Sequence, residues 1–351
     1  MHHFIGQYPN LEHATPYSRE LKVYVDREKA GFSSWYCFFP RSSSRIEGMH
    51  GTFRECEALL PRIAEMGFDV LYFPPIHPIG YNFRKGKNNV VNALPGDDGV
   101  PYAIGSDEGG HKDILKGLGT LEDFKHLIKE AAAHGLEIAL DFAIQCSPDH
   151  PYVKKHPQWF KWRPDGTVQY AENPPKKYQD ILPVNFENGD WQNLWKELKS
   201  ILDYWCEQGV RIFRVDNPHT KSFSFWEWCI AAVQQKYPGT IFLSEAFTKP
   251  KVMKALAKLG YTQSYTYYVW RNSKHELTTY ITELTQTEMK DYFRPNFWPN
   301  THDINPYPLQ GGVESSFIAR YFMAATLSSN YGIFGPVYEL MYHAPYPGKE
   351  E

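Results

Sequence analysis

A chain of 351 residues, 42% of them hydrophobic, is long enough to bury one large core or two ordinary ones. Its formal net charge of -3 offers nothing to attract a polyanion, so nucleic acid is not an expected partner. The five cysteines, Cys37, Cys56, Cys146, Cys206 and Cys229, are odd in number and lack the paired spacing of a zinc site, which points to reduced thiols in the cytosol. No apolar run approaches the ~20 residues of a membrane span, and the N-terminus lacks a signal-peptide core, so a soluble, intracellular protein is expected.

Aromatic residues make up 16% of the chain, a supply that serves either a large core or a cleft in which flat pyranose faces pack on rings. The first strand is expected over Ser34–Pro40, then a helix over Phe53–Met66 and a second strand over Asp69–Ile76. A long glycine-rich, polar loop leads to a helix carrying Leu121, Phe124, Leu127, Ile128 and Ala131. The third strand, Glu137–Ile144, is apolar almost throughout, as a strand buried on both faces should be. Residues 145–188, rich in Pro, Lys, Tyr and Trp, form an insertion too long for a plain loop, and an inserted subdomain over 146–188 is expected.

The helix that follows is the most sharply patterned. Trp191, Leu194, Trp195, Leu198, Ile201, Leu202 and Trp205 recur at helical spacing, and Gly209 closes the element. The fourth strand, "RIFRVD", ends at Asp216. Four further strands are expected in "TIFLSEAF", "SYTYYVW", "RPNFWPNTHD" and "YGIFGP", separated by helices over Phe225–Gln235, Lys251–Leu259, Lys274–Thr285 and Val313–Ser328. Eight alternating units predict a (β/α)8 barrel rather than an open doubly wound sheet, whose glycine fingerprint is missing after the first strand. The barrel is expected over 31–145 and 189–351, after an N-terminal remnant through residue 30. No eighth helix is evident, so a fragment lacking flanking β domains is expected.

Catalytic groups in such a barrel gather at the C-terminal ends of the strands. Asp216, Glu245 and Asp303 fall at the expected ends of the fourth, fifth and seventh strands, and Asp141 late in the third. Any one of these is readily a helix cap; together on one face they read as a site. Adjacent strands about 4.8 Å apart can supply the carboxyl pair, about 5 to 5.5 Å apart, of a retaining glycosidase from Asp216 and Glu245. Arg214, two residues before Asp216, shares its side of the strand and would hold that carboxylate ionised and oriented. A barrel-interior ion pair without chemistry is the plainer alternative for Arg214.

At "FRVDNPH", "SEAF" and "NTHD" the sequence resembles the α-amylase superfamily, glycoside hydrolase family 13. It departs from that family at His219, one place nearer the aspartate than usual, and at Gln145 and Cys146, which replace the Asn and His of the third-strand motif. Those replacements turn the expectation away from a calcium-dependent hydrolase. "HGTFRECE", "GFDVLYFPPIHPIG", "RKGKNN", "AIGSDEGGHKDI", "YAENPPKKYQDI", "EAFTKPKVM" and "TQSYTYYVWRN" are similar to the branch that extends α-1,4-glucans from α-maltose 1-phosphate. The resemblance covers residues 31–340.

That resemblance implies Asp216 as nucleophile, Glu245 as acid/base, Asp303 as transition-state stabiliser and Arg214 as orienting group. It places phosphate at Asn173, Lys176, Tyr178 and Asn217, with Pro174 and Pro175 stiffening the loop. Sugar hydroxyls fall to Gln145 and to Lys85, with Lys87 as the alternative lysine. His111 and Asp113 are expected only to organise the second loop, and neither metal nor cofactor is expected. The resemblance also implies a bacterial cytosolic homodimer acting in α-glucan synthesis. The alternatives are a glucan or trehalose hydrolase or isomerase of the same superfamily, and an inactive carbohydrate-binding barrel.

Overall fold

The computed structural model describes residues 6–18, 23–173 and 176–345. Eight parallel strands close into a barrel: β1 Ser33–Cys37, β2 Val70–Phe73, β3 Glu137–Phe142, β4 Ile212–Asp216, β5 Ile241–Glu245, β6 Gln263–Tyr265, β7 Pro295–Phe297 and β8 Asn330–Phe334. Each pairs with its neighbours in sequence, and β8 returns to β1 with Ser33 opposite Asn330. Among the described residues no helix is long and apolar enough to cross a membrane.

Strand alternation sorts the apolar residues into two cores. Trp35, Val70, Tyr72, Ala139, Ile212, Leu243, Tyr265 and Trp298 pack together inside the barrel. The intervening Leu71, Ile138, Leu140, Phe213, Val215 and Phe242 pack outward on the helices. The barrel interior is layered. At the bottom Ser33 Oγ and Gln263 Nε2 donate to Asn330 Oδ1 at 2.9 and 3.0 Å, and Asn296 Nδ2 donates to Gln263 Oε1 at 2.9 Å. Aromatic rings fill the middle, with Tyr265 stacked on Trp298 at 5.1 Å. The top layer is charged.

The helices form where their patterns place them. Trp191–Glu207 buries Leu194, Leu198, Ile201, Leu202 and Trp205, and Gly209 takes the left-handed φ of 106° that ends it. Leu121–Ala133 starts on a reciprocal capping box between Thr120 and Asp123. Phe223–Lys236, Pro250–Lys258, Lys274–Gln286 and Glu314–Leu327 lie within two residues of expectation.

Four expectations need correction. The helix expected over Phe53–Met66 is two, Phe53–Glu57 and Leu60–Glu65, because Pro61 has no N–H to carry the ladder across the join. The tyrosine-rich sixth strand stops at Tyr265; Thr266 caps a 3-10 turn over Tyr267–Trp270, and Tyr268 stacks on Phe297 at 4.6 Å. The seventh strand ends at Phe297, so Asp303 lies in the loop beyond it. After β8 a short helix, Gly335–Glu339, does follow, with Tyr338 buried.

Residues 145–188 carry a short helix, Pro151–Lys155, and a hairpin of Ala171–Asn173 with Lys176–Tyr178. The long loop after β2 packs beside them. Ile79, Ala103 and Ile181 form one small core, and Ser147 N–H donates to the Ile104 carbonyl at 2.7 Å.

Candidate active site

The alternation that builds the barrel interior continues into its charged layer. Ile212, Arg214 and Asp216 face inward on β4, as do Ile241, Leu243 and Glu245 on β5 and Ala139 and Asp141 on β3. In the parallel ladder Asp216 stands directly opposite Glu245, and Asp141 opposite Arg214. One guanidinium serves all three carboxylates. Arg214 Nη1 donates to Asp216 Oδ1 at 2.8 Å and to Asp141 Oδ2 at 3.0 Å, and Nη2 lies 3.5 Å from Glu245 Oε1. The rings of Tyr72 and Tyr265 flank it, each 5.9 Å from its central carbon. Its side chain is only 2% exposed. Burial would favour the neutral form, but Asp141 and its neighbours outweigh that and hold the Arg214 pKa above its ordinary value.

The two facing carboxyls differ in environment. Burial pushes the Glu245 pKa up to about 7; Arg214 opposes the rise, and the negative charges of Asp216 and Asp303 add to it. Asn217 N–H donates to Glu245 Oε2 at 3.0 Å, and Asn217 Nδ2 to Asp216 Oδ2 at 3.3 Å. Asp216 thus has Oδ1 held on Arg214 and Oδ2 held only weakly. Such an arrangement can present a carboxylate nucleophile beside a carboxylic acid.

Asp303 joins this layer from the loop after β7. His302 Nε2 lies 3.2 Å from Asp303 Oδ2 and 2.8 Å from Tyr102 Oη. Burial would lower the His302 pKa, and Asp303 beside it more than offsets this, so the imidazole is raised toward its charged form. Asp303 itself is 56% exposed at the mouth. Tyr102 stacks on His302 at 5.7 Å and donates to Asp141 Oδ2 at 2.6 Å, as Tyr72 also does.

Tyr72, Tyr102, Tyr265 and Lys221 were not singled out by the sequence reading. Tyr72 and Tyr265 occupy inward positions of their strands, a signal that alternation supplies; Tyr102 sits in a loop with no periodicity to mark it. Lys221 donates to Thr220 Oγ1 at 2.7 Å. Burial lowers its pKa against the pull of Asp216 and Glu245.

The remaining candidates spread along the wall. Gln145 Nε2 donates to the Tyr102 carbonyl at 3.3 Å, supporting a site residue. Lys85 is buried and its Nζ donates to Gln179 Oε1 at 2.6 Å and to the Lys177 carbonyl at 3.5 Å, which ties the second loop to the hairpin; Lys87 is exposed. Asn173 and Lys176 are partners in that hairpin, with Tyr178 two residues on. The positive charge of Lys176 reaches the Asp303 carboxyl. Pro174 and Pro175 lie outside the described residues.

His111 and Asp113 organise the second loop, as expected. Asp113 accepts from Gly110 N–H at 2.8 Å, and its carbonyl meets His77 Nδ1 at 3.0 Å. Among the described residues His111, Cys146 and His150 form a group with metal-ligand chemistry. Hydrogen bonding already accounts for their nitrogens. Tyr152 N–H donates to His150 Nδ1, which leaves His150 Nε2–H to donate to His111 Nδ1 at 3.0 Å and His111 Nε2–H to donate to the Ala143 carbonyl at 2.9 Å. A metal on His150 Nε2 would have to break that relay.

No family model matches the chain. It is similar to α-1,4-glucan:maltose-1-phosphate maltosyltransferases from Chlorobaculum tepidum, 62% identical over 343 residues and 98% of this chain, and from Pseudomonas aeruginosa, 54% identical over 95% of this chain. The chain spans about half the length of these relatives, 51% and 50% respectively. Among solved structures it resembles an α-amylase from Lactobacillus plantarum, with a TM-score of 0.67 and 24% identity over 88% of this chain and 71% of that one. An α-amylase from Geobacillus thermoleovorans, complexed with acarbose, gives a TM-score of 0.69 and 16% identity over 93% of this chain and 74% of that one. The fold is thus that of the α-amylase barrels, and in sequence nearly the whole chain is similar to about half the length of proteins named α-1,4-glucan:maltose-1-phosphate maltosyltransferases.

Proposed function

We propose that this protein moves a maltosyl unit from α-maltose 1-phosphate to the non-reducing end of an α-1,4-glucan, releasing phosphate with retention at the anomeric carbon. The observation that carries the reading is the facing pair on β4 and β5, where Asp216 is fixed by Arg214 and Glu245 titrates near neutrality.

In the first displacement Asp216 Oδ2 attacks the anomeric carbon. The bond from that carbon to the phosphate oxygen breaks, and Glu245 gives its proton to the departing phosphate. In the second, Glu245 takes the proton of the acceptor's 4-hydroxyl, whose oxygen attacks the same carbon and frees Asp216. Two inversions give retention. Asp303 accepts hydrogen bonds from sugar hydroxyls that strengthen as the ring becomes oxocarbenium-like. Asn173, Lys176, Tyr178 and Asn217 take the phosphate, and Lys85 and Gln145 serve the sugar from the wall. For Lys85 this means dividing its ammonium between Gln179 and a hydroxyl.

The test is phosphate release from α-maltose 1-phosphate with and without maltohexaose, with the products followed by mass. Release matched by products growing in two-glucose steps supports the reading. Free maltose in place of longer chains identifies a hydrolase instead. Asp216→Ala is expected to abolish transfer without unfolding, and Lys176→Ala to raise the donor KM more than it lowers kcat. Wild-type turnover by the Asp216→Ala protein would end the nucleophile assignment.

A further inference from the structure

Four non-glycine residues among those described have positive φ, and Asn217, at φ 43° and ψ 50°, adjoins the charged layer. Asparagine is one of the few L-residues that tolerate this left-handed conformation. Pro218 after it disfavours the right-handed helical alternative. The turn is anchored beyond the proline as well, where Trp226 Nε1 donates to the Pro218 carbonyl at 3.0 Å.

Both backbone groups of Asn217 and its side-chain Nδ2 are engaged. Its carbonyl accepts from Thr220 N–H at 3.1 Å, from Thr220 Oγ1 at 2.8 Å and from Lys221 Nζ at 3.4 Å. Its side-chain amide reaches Asp216, and its backbone N–H points across to Glu245 Oε2 at 3.0 Å. That N–H lies in the peptide plane between Asp216 and Asn217, and the left-handed turn that follows, with its carbonyl held by Thr220 and Lys221, keeps the plane in place.

We infer that Asn217 is a positioning residue for catalysis, its left-handed turn holding the preceding peptide so that one N–H stays on Glu245, the acid/base is fixed against the nucleophile and its ionised form is stabilised. This rests on the proposed role of Glu245 and is separate from any contact the Asn217 side chain makes with phosphate. A hydrogen bond to the charged form lowers a carboxyl's pKa, so its loss moves the ionisation of Glu245 upward. Side chain and backbone can be told apart by substitution. Asn217→Gly removes the amide but keeps the left-handed turn, Asn217→Ala disfavours the turn, and Asn217→Val opposes it strongly.

The experiment is the pH dependence of kcat/KM for phosphate release, measured for the wild type and the three variants, each checked by circular dichroism and melting temperature. The donor's own phosphate ionisation is common to all four, so differences belong to the protein. A rise in donor KM common to all three variants reports the lost side chain. The alkaline limb is expected to stay within about 0.3 pH unit of wild type in Asn217→Gly and to move up by about one unit in Asn217→Val, with Asn217→Ala between. If the Val protein does not fold, the Gly and Ala proteins decide the order. Limbs that coincide in the Gly protein and the bulkier variants overturn the inference alone. A wild type without a limb abolished by Glu245→Gln overturns the acid/base assignment, and the inference with it.

Discussion

Glu245 is held in a place that suits a proton donor and disfavours a carboxylate. Its ordinary pKa of 4.5 rises to about 7 on folding, so the native protein binds a proton that the unfolded chain has already released. The sign follows from that difference. The penalty is absent at pH 4, grows as pH rises through the interval and is complete above pH 7. Glu245→Gln is therefore expected to stabilise the protein by about 3 kcal/mol at pH 8 and by almost nothing at pH 4. Urea midpoints at the two pH values check this; equal shifts at both would refute it. Much at this scale was legible in the sequence, because period-two alternation fixes which side chains of "RIFRVD" and "FLSEAF" share the inward face. Tyr102 was not legible, since a loop residue reaches Asp141 and His302 only through the path of its loop. Asp303 was placed on a strand because "RPNFWPNTHD" is rich in strand-forming aromatics, whereas the ladder gives out at Phe297.

Between elements, the long loops after β2 and β3 are fastened by buried histidines. Burial lowers His77 to about 4 and His111 to about 3, and it lowers His150 well below its ordinary value, each being kept neutral in the fold. These groups charge more easily once unfolded, so their contribution is complete above pH 6.5 and is lost as pH falls below it. The groups facing them are Asp113, Lys112 and Cys146, together with Tyr152 and Glu197, which meet in a hydrogen bond. Each histidine taken alone costs on the order of 2 kcal/mol of stability between pH 7 and pH 5. His150→Asn, which can still accept from Tyr152 N–H, is expected to flatten the fall in melting temperature over that range. An unchanged pH profile would remove His150 from the account. Element boundaries were readable where caps and glycines mark them, as at Thr120 and Gly209. They were misread at "SYTYYVW", where strand propensity points one way and the stacking of Tyr268 on Phe297 settled the other.

Over the whole molecule, the buried amide layer at the barrel bottom joins the first and last strands. Asn330 accepts from both Ser33 and Gln263; Gln263 Nε2 keeps the Lys29 and Ala30 carbonyls, so Asn330→Leu leaves the Ser33 hydroxyl unmatched and is expected to cost about 1 to 3 kcal/mol in chemical denaturation. A loss under 1 kcal/mol would mean that the layer repacks. Strand count and helix alternation made the barrel legible, but the amide layer was not, because nothing local links Ser33 to Asn330, 297 positions away.

That separation bears on how the chain is made. During synthesis β4 and β5 emerge as sequence neighbours and can pair, setting Asp216 opposite Glu245, while β1 still waits with an open edge. The edge closes only when Asn330 to Phe334 have left the ribosome. The half of the barrel that holds the facing carboxylates can thus be assembled early, and its exposed seam is the stretch most open to chaperones and to aggregation until the last strand arrives.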